Sequence, residues 1–125
     1  MEQTELFNFE RLIAYQKALD YIDLVYELTD KFPQHEIYGI TSQWRRASCS
    51  IALNTGEGAG STDNDFKNFL RIAKRSLREC VVCTSISFRR KYITKKTHDE
   101  SRNQLIELAK LNSGLVKSII NKANK

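Results

Sequence analysis

The chain has 125 residues, 41% of them hydrophobic and 28% charged, which suits one soluble domain with its own core and excludes a disordered tail. No stretch approaches the ~18 consecutive apolar residues of a transmembrane helix, so no membrane association is expected. The net charge of +5 is unevenly spread: residues 1 to 36 hold eight acids and three bases, whereas residues 67 to 96 hold ten Lys or Arg and one acid, Glu79.

The acidic start Met1–Glu5 has no apolar run behind it and does not read as a secretory signal. Residues 1 to 9 form a short arm ending in Phe7 and Phe9. A first helix is predicted over Glu10 to Lys31, with an inward stripe of Leu12, Tyr15, Leu19, Ile22, Tyr26 and Thr29 at steps of three and four. It stops before Pro33, because the residue before a proline is biased out of the α region.

A second helix is predicted from about Glu36, with the seam Ile37, Ile40, Trp44, Ala47, Ile51, Asn54 and Gly58. Gly56, Gly58 and Gly60 are expected to release the chain into left-handed conformations and end it. A third helix starts at Ser61 or Thr62, with Asp63 and Asp65 at its positive end, and fades near Tyr92 or Ile93. Phe66, Phe69, Leu70, Ala73, Leu77, Cys80, Val81, Thr84 and Phe88 form its apolar side. Thr97 to Glu100 reads as the capping box of a fourth helix, with the stripe Leu105, Leu108, Asn112, Leu115 and Ile119 and fraying over 121 to 125. Four long helices on short connections predict an all-α fold, an antiparallel up-and-down four-helix bundle in a single domain.

The third helix carries the strongest functional signal. Lys67, Arg71, Lys74 and Arg78 follow steps of four, three and four, with Arg75 beside them, so they project to one side. Arg89, Arg90 and Lys91, with Lys95 and Lys96 beyond, cluster at the helix end. Such a ridge of cations suits phosphate contact, and each neutralised phosphate releases counterions. The alternative is a solvated face that helps solubility. Of the adjacent Arg45 and Arg46, Arg46 is expected near the apolar seam, in a structural ion pair with Glu57 or Glu79.

Other motifs carry structure rather than chemistry. Cys80 and Cys83 have the CxxC form but sit in mid-helix, away from the isolated His35 and His98, and read as buried thiols. With Cys49 they make an odd number without framework spacing, as in reduced cytoplasmic proteins. Gly56 to Gly60 lacks the GxxxxGK[ST] pattern and reads as a turn. Trp44 and Tyr38 read as core or subunit contact. No carboxylate pair, triad or ExxH motif is present, so neither catalysis nor a metal or cofactor is expected.

The run Gln43-Trp44-Arg45-Arg46-Ala47-Ser48-Cys49-Ser50-Ile51-Ala52-Leu53-Asn54-Thr55-Gly56-Glu57-Gly58 resembles the signature QxxRAxxSIxxNxxEG of a bacterial family, the 23S rRNA intervening sequence proteins. Phe9 to Leu12, Tyr26 to Pro33, Tyr38 to Ile40 and Asp65 to Glu79 extend the likeness over about residues 9 to 80. Arg75 stands where the family often has Gly, and Thr55-Gly56 where Ile-Ala is common. The resemblance implies a four-helix bundle that assembles as a ring-like homopentamer and has no catalytic activity. It also implies kinship with the accessory proteins of diversity-generating retroelements, which bind nucleic acid beside a reverse transcriptase.

The expected partners are therefore copies of the chain itself and nucleic acid, RNA more than DNA. A protein partner for the basic face, such as a reverse transcriptase or a ribosome-associated factor, is the alternative.

Overall fold

The computed structural model describes residues 7–124; the first six residues of the arm expected over 1 to 9, and the last residue of the tail, lie outside them. Four long helices account for most of the chain: α1 (Ile13–Thr29), α2 (Ile40–Ala59), α3 (Asp63–Arg89) and α4 (Lys95–Ala123). Short 3-10 turns at Asn8–Arg11 and Gln34–Glu36 precede α1 and α2. Among the described residues there is no strand, and no helix is long and apolar enough to cross a membrane.

The backbone neighbours are α1 and α2, α2 and α3, α3 and α4, and α4 and α1. The backbones of the diagonal pairs α1–α3 and α2–α4 stay farther apart, and Tyr21 of α1 meets Cys80 and Thr84 of α3 through side chains in the core. Side-chain links run in opposite order along every neighbouring pair. Arg45 reaches Asp30 while Gly56 meets Phe9 and Tyr15; Ser76 bonds Ser50 while Gly58 meets Phe66. Asn112 bonds the Leu70 carbonyl while Lys122 meets Asp63, and Lys17 meets Glu107 while Tyr21 meets Ser101.

The core is built from Ala18, Tyr21 and Val25 of α1, Trp44, Ala47 and Ile51 of α2, Leu77 and Cys80 of α3, and Leu105 and Leu108 of α4. A chain of buried polar groups crosses it. The Trp44 indole N–H donates to the Tyr21 hydroxyl at 3.2 Å, which lies 2.8 Å from Ser101 Oγ, itself 2.8 Å from Thr84 Oγ1. One group comes from each helix, and each has a partner, as buried polar groups require. Burial, then the Cys80 charge, pushes the Tyr21 phenol well above its usual range.

The inward face of α1 differs from expectation. Ala14, Ala18, Tyr21, Leu24, Val25 and Thr29 are buried, whereas Leu19 and Tyr26 stand at the surface. The helix carries two apolar stripes about 100° apart, and periodicity locates both without saying which one meets the other helices.

The helix ends also move. Residues 7 to 9 do not form a loose arm: the Phe7 amide donates to the Glu10 carboxylate and Phe9 sits edge-on against Tyr15. Gln34 to Glu36 form the 3-10 turn before α2 rather than its first turn. Gly56 and Gly58 do not end α2; they lie inside it, and no glycine has a positive φ. A Cβ on Gly58 would lie 2.7 Å from Phe66 Cδ1 and 2.8 Å from Phe69 Cβ, so the missing side chain serves close approach of α3. Helix α3 starts where Thr62 accepts the Asp65 amide, but it ends at Arg89 rather than near Tyr92. The capping box of α4 is Thr94 with Thr97, three residues earlier than predicted, and α4 continues through the expected fraying to Ala123.

Candidate nucleic-acid interface

Helix α3 spans 27 residues because its ends are well made. Thr62 caps the first turn, and Asp63 and Asp65 oppose the positive dipole end. Leu70, Ala73, Leu77, Cys80 and Thr84 bury one side. Arg71, Lys74, Arg75, Arg78 and Arg89 are exposed on the other, and Lys67 is half-buried at the same edge. At ~100° per residue these six side chains fall within one quarter-turn sector or just beyond it. At ~1.5 Å per residue, Lys67 to Arg89 forms a ridge about 33 Å long.

The ridge carries unneutralised charge. Ion pairs form at Lys17–Glu107, Arg45–Asp30, Lys95–Asp99 and Lys122–Asp63, and His98 meets Asp99. Among the described residues none of Lys67, Arg71, Lys74, Arg75, Arg78, Arg89, Arg90 and Lys91 makes one. Arg75 is exposed and does not crowd a neighbouring helix.

The end of α3 places the last three cations. The Tyr92 amide donates to the Ser87 carbonyl at 2.9 Å and the Lys91 amide to the Phe88 carbonyl at 3.0 Å, the two bonds of a Schellman motif. That motif usually places glycine where Lys91 stands, and Lys91 takes φ 63°, the single positive φ of a non-glycine residue among those described. The left-handed conformation costs an L-residue roughly 1–2 kcal/mol.

Helix α4 adds a residue the sequence reading missed. Lys74, Leu77, Arg78 and Val81 of α3 face Arg102, Leu105, Ile106 and Ala109 of α4 across a groove of about 160 Å³. Arg102 thus joins Lys74 and Arg78 on its rim. Its place four residues before Ile106 and seven before Ala109 was the available signal, but a lone arginine in a mixed-charge stretch drew no notice. The floor is aliphatic and offers no aromatic ring on which a base could stack.

The expected ion pair of Arg46 is replaced by another. Arg46 is exposed, and Arg45 is the half-buried member of the dipeptide. Arg45 donates from Nε to Thr29 Oγ1 and from a terminal nitrogen to Asp30, both at 2.8 Å, and its guanidinium stacks 4.6 Å from the Tyr26 ring centre. Glu57 follows Arg46 by eleven residues on one helix, about 16 Å along the axis and out of reach. Neither Glu57 nor Glu79 lies within 4.0 Å of a cationic nitrogen among the described residues.

The core thiols are inert by environment. Burial, then the Glu79 charge, pushes the Cys83 thiol up to about 11, and burial pushes Cys80 higher still. Both are free, as is the half-buried Cys49. Among the described residues no three His, Cys, Asp or Glu side chains converge as a metal site would require.

These observations define an all-α, four-helix protein with one basic outer side built by α3 and α4. The chain belongs to the 23S rRNA-intervening sequence protein family, whose sequence pattern matches residues 10–114. Its fold is similar to the crystal structure of a protein of unknown function from the S23 ribosomal protein family of Bacteroides thetaiotaomicron. That likeness has a TM-score of 0.77 at 23% identity and covers 84% of this chain and 96% of the other. No curated protein matches the chain.

Proposed function

We propose that this protein is a non-enzymatic, cytoplasmic nucleic-acid-binding protein that contacts phosphates through the outer side of α3 and favours RNA over DNA. The observation that carries this reading is the row of eight cations without an ion-pair partner among the described residues. Lys91 supports it, since a charged residue held where glycine would be easier points to a use for the charge. The family's name, which refers to rRNA, favours RNA. The order of the inter-helix links supports an antiparallel up-and-down bundle, and copies arranged in a ring of five would multiply a weak single-site affinity.

Fluorescence anisotropy with labelled single-stranded RNA and DNA at two salt concentrations tests this. Binding weakens steeply with salt. The variant Arg71→Glu/Lys74→Glu/Arg78→Glu loses it while circular dichroism stays helical. If that variant holds RNA as well as the parent, the reading fails.

One observation favours a second reading, a scaffold for an acidic protein partner. The groove beside Lys74 and Arg78 has an aliphatic floor of Leu77, Val81, Leu105, Ile106 and Ala109. A partner retained from native lysate after nuclease treatment supports the scaffold; one released by nuclease supports nucleic acid.

A further inference from the structure

The connection between α1 and α2 holds a small polar pocket that the basic ridge does not use. Its volume is about 190 Å³, below the ~300–1,000 Å³ of sites for drug-sized molecules and suited to one planar ring system. Phe32 and Ile37 give it apolar walls, and Asp30, Gln34, Thr41 and Arg45 bring polar groups to it.

One of those groups is an orphan. Thr41 is 5% exposed, and its hydroxyl has no hydrogen-bond partner among the described residues. Thr29, Thr55 and Thr84 each donate to the carbonyl four residues back. For Thr41 that carbonyl would belong to Ile37, which precedes the first turn of α2. A buried hydroxyl without a partner calls for one, and this residue lies on the wall of a pocket.

The neighbouring polar groups are held in place. Arg45 donates through Nε to Thr29 Oγ1 and through a terminal nitrogen to Asp30 Oδ1, both at 2.8 Å. A guanidinium has donors to spare beyond these two, and the carboxylate keeps Oδ2 as an acceptor. The pocket also lies at the end of the bundle where the ridge stops. The Tyr92 hydroxyl donates to the Glu36 carboxylate at 2.8 Å, and the Tyr92 ring lies 5.0 Å from that of Phe32. The turn that carries Arg90 and Lys91 is thereby packed on the segment that walls the pocket.

We infer that this pocket takes a guanine base, presented by an unpaired residue of an RNA strand whose phosphates lie on the α3 ridge. The inference rests on the nucleic-acid reading and adds to it the base that is read. Phosphate contact carries no sequence information, whereas the splayed bases of single strands are read on their edges. Guanine is the base whose Watson–Crick edge offers two adjacent donors, N1–H and the N2 amine. The Asp30 carboxylate accepts both, and such charge-assisted bonds are the stronger kind. Arg45 and Gln34 supply donors for the guanine O6 and N7, and the Thr41 hydroxyl gains its partner. Adenine and cytosine offer a carboxylate one donor beside a ring-nitrogen acceptor. Uracil flanks its one donor with two carbonyls. Each of these sets lone pairs against Asp30.

The test is fluorescence anisotropy at low salt with a short labelled uridine oligomer carrying one guanosine, inosine or adenosine at its centre. The guanosine oligomer binds about tenfold tighter than the all-uridine one, in the range of one bidentate base contact. Inosine lacks the N2 amine and falls between them, and adenosine matches all-uridine. Asp30→Asn and Thr41→Val each bring the guanosine oligomer close to the all-uridine one, with the fold checked by circular dichroism. Gln34→Ala, at an exposed position, also narrows the preference and keeps the test open if a buried variant unfolds.

Equal binding of the guanosine and adenosine oligomers, or of the guanosine and inosine oligomers, overturns the inference and leaves the nucleic-acid reading standing. So does a preference that persists in Asp30→Asn. If no oligomer binds, the nucleic-acid reading falls and the inference with it. Calorimetry with guanosine monophosphate separates the two sources of the base. Its binding by the parent, without any guanosine preference in RNA, assigns the pocket to a free nucleotide and overturns delivery by a strand.

Discussion

At the scale of single residues, glycine and lysine exchange their customary places. Gly58 sits inside a helix, where Phe66 and Phe69 leave no room for a methyl group. Gly58→Ala should therefore lower stability by about 1–3 kcal/mol, the usual cost of overpacking, read as a shift in the urea midpoint. Lys91 takes the left-handed position that glycine fills in most helix ends. Lys91→Gly should raise stability by about 1 kcal/mol while weakening RNA binding, and a variant that gains nothing in thermal unfolding counts against strain at this site.

Cysteine ionisation should weaken the fold in alkali. A Cys83 thiol that titrates near 11 in the fold and at the ordinary 9.0 in the open chain favours unfolding once pH exceeds about 9. Below that, both states hold the proton and stability does not change on this account. Urea unfolding at pH 7 and pH 10 should show an alkaline loss that Cys83→Ala reduces, by up to ~1.4 kcal/mol per pH unit for one group.

At the scale of elements, legibility followed how many apolar faces a helix offers. The α2 seam held at Ile40, Trp44, Ala47, Ile51 and Gly58, and the α4 stripe at Leu105, Leu108, Asn112 and Ile119, because each helix has one such face. The first helix has two, so of the stripe selected for the core Thr29 is buried, Tyr15 and Ile22 only border the core, and Leu19 and Tyr26 stand at the surface. The polar chain through the core escaped notice because Tyr21, Thr84 and Ser101 are unremarkable alone and meet only in space. Tyr21→Phe removes the acceptor of the Trp44 N–H and should cost about 1–3 kcal/mol in chemical denaturation; a neutral effect would show that this chain of bonds is dispensable.

At the scale of the whole molecule, the basic ridge was legible because charge needs no partner to be read. Arg102 was not, since its role depends on which face of α4 meets α3. The Arg46 pair failed for the same reason: one residue of shift on a helix turns a side chain by ~100°, and only the packed neighbours decide between Arg45 and Arg46. If the ridge lies on a nucleic-acid backbone, removing three of its cations should flatten the plot of log affinity against log salt by a slope of about 2 for single strands.

The diagonal placement of α1 and α3 has a kinetic consequence. Acids on the outer side of one and cations on the outer side of the other face in opposite directions, so a single chain has a large electric dipole across its width. Near a polyanion the field exerts a torque as well as a pull, turning the chain before first contact so that the basic side leads and the acidic side trails. If the chain binds nucleic acid as proposed, productive encounters depend less on chance orientation, and association should speed up at low salt beyond what a net charge of +5 alone would give.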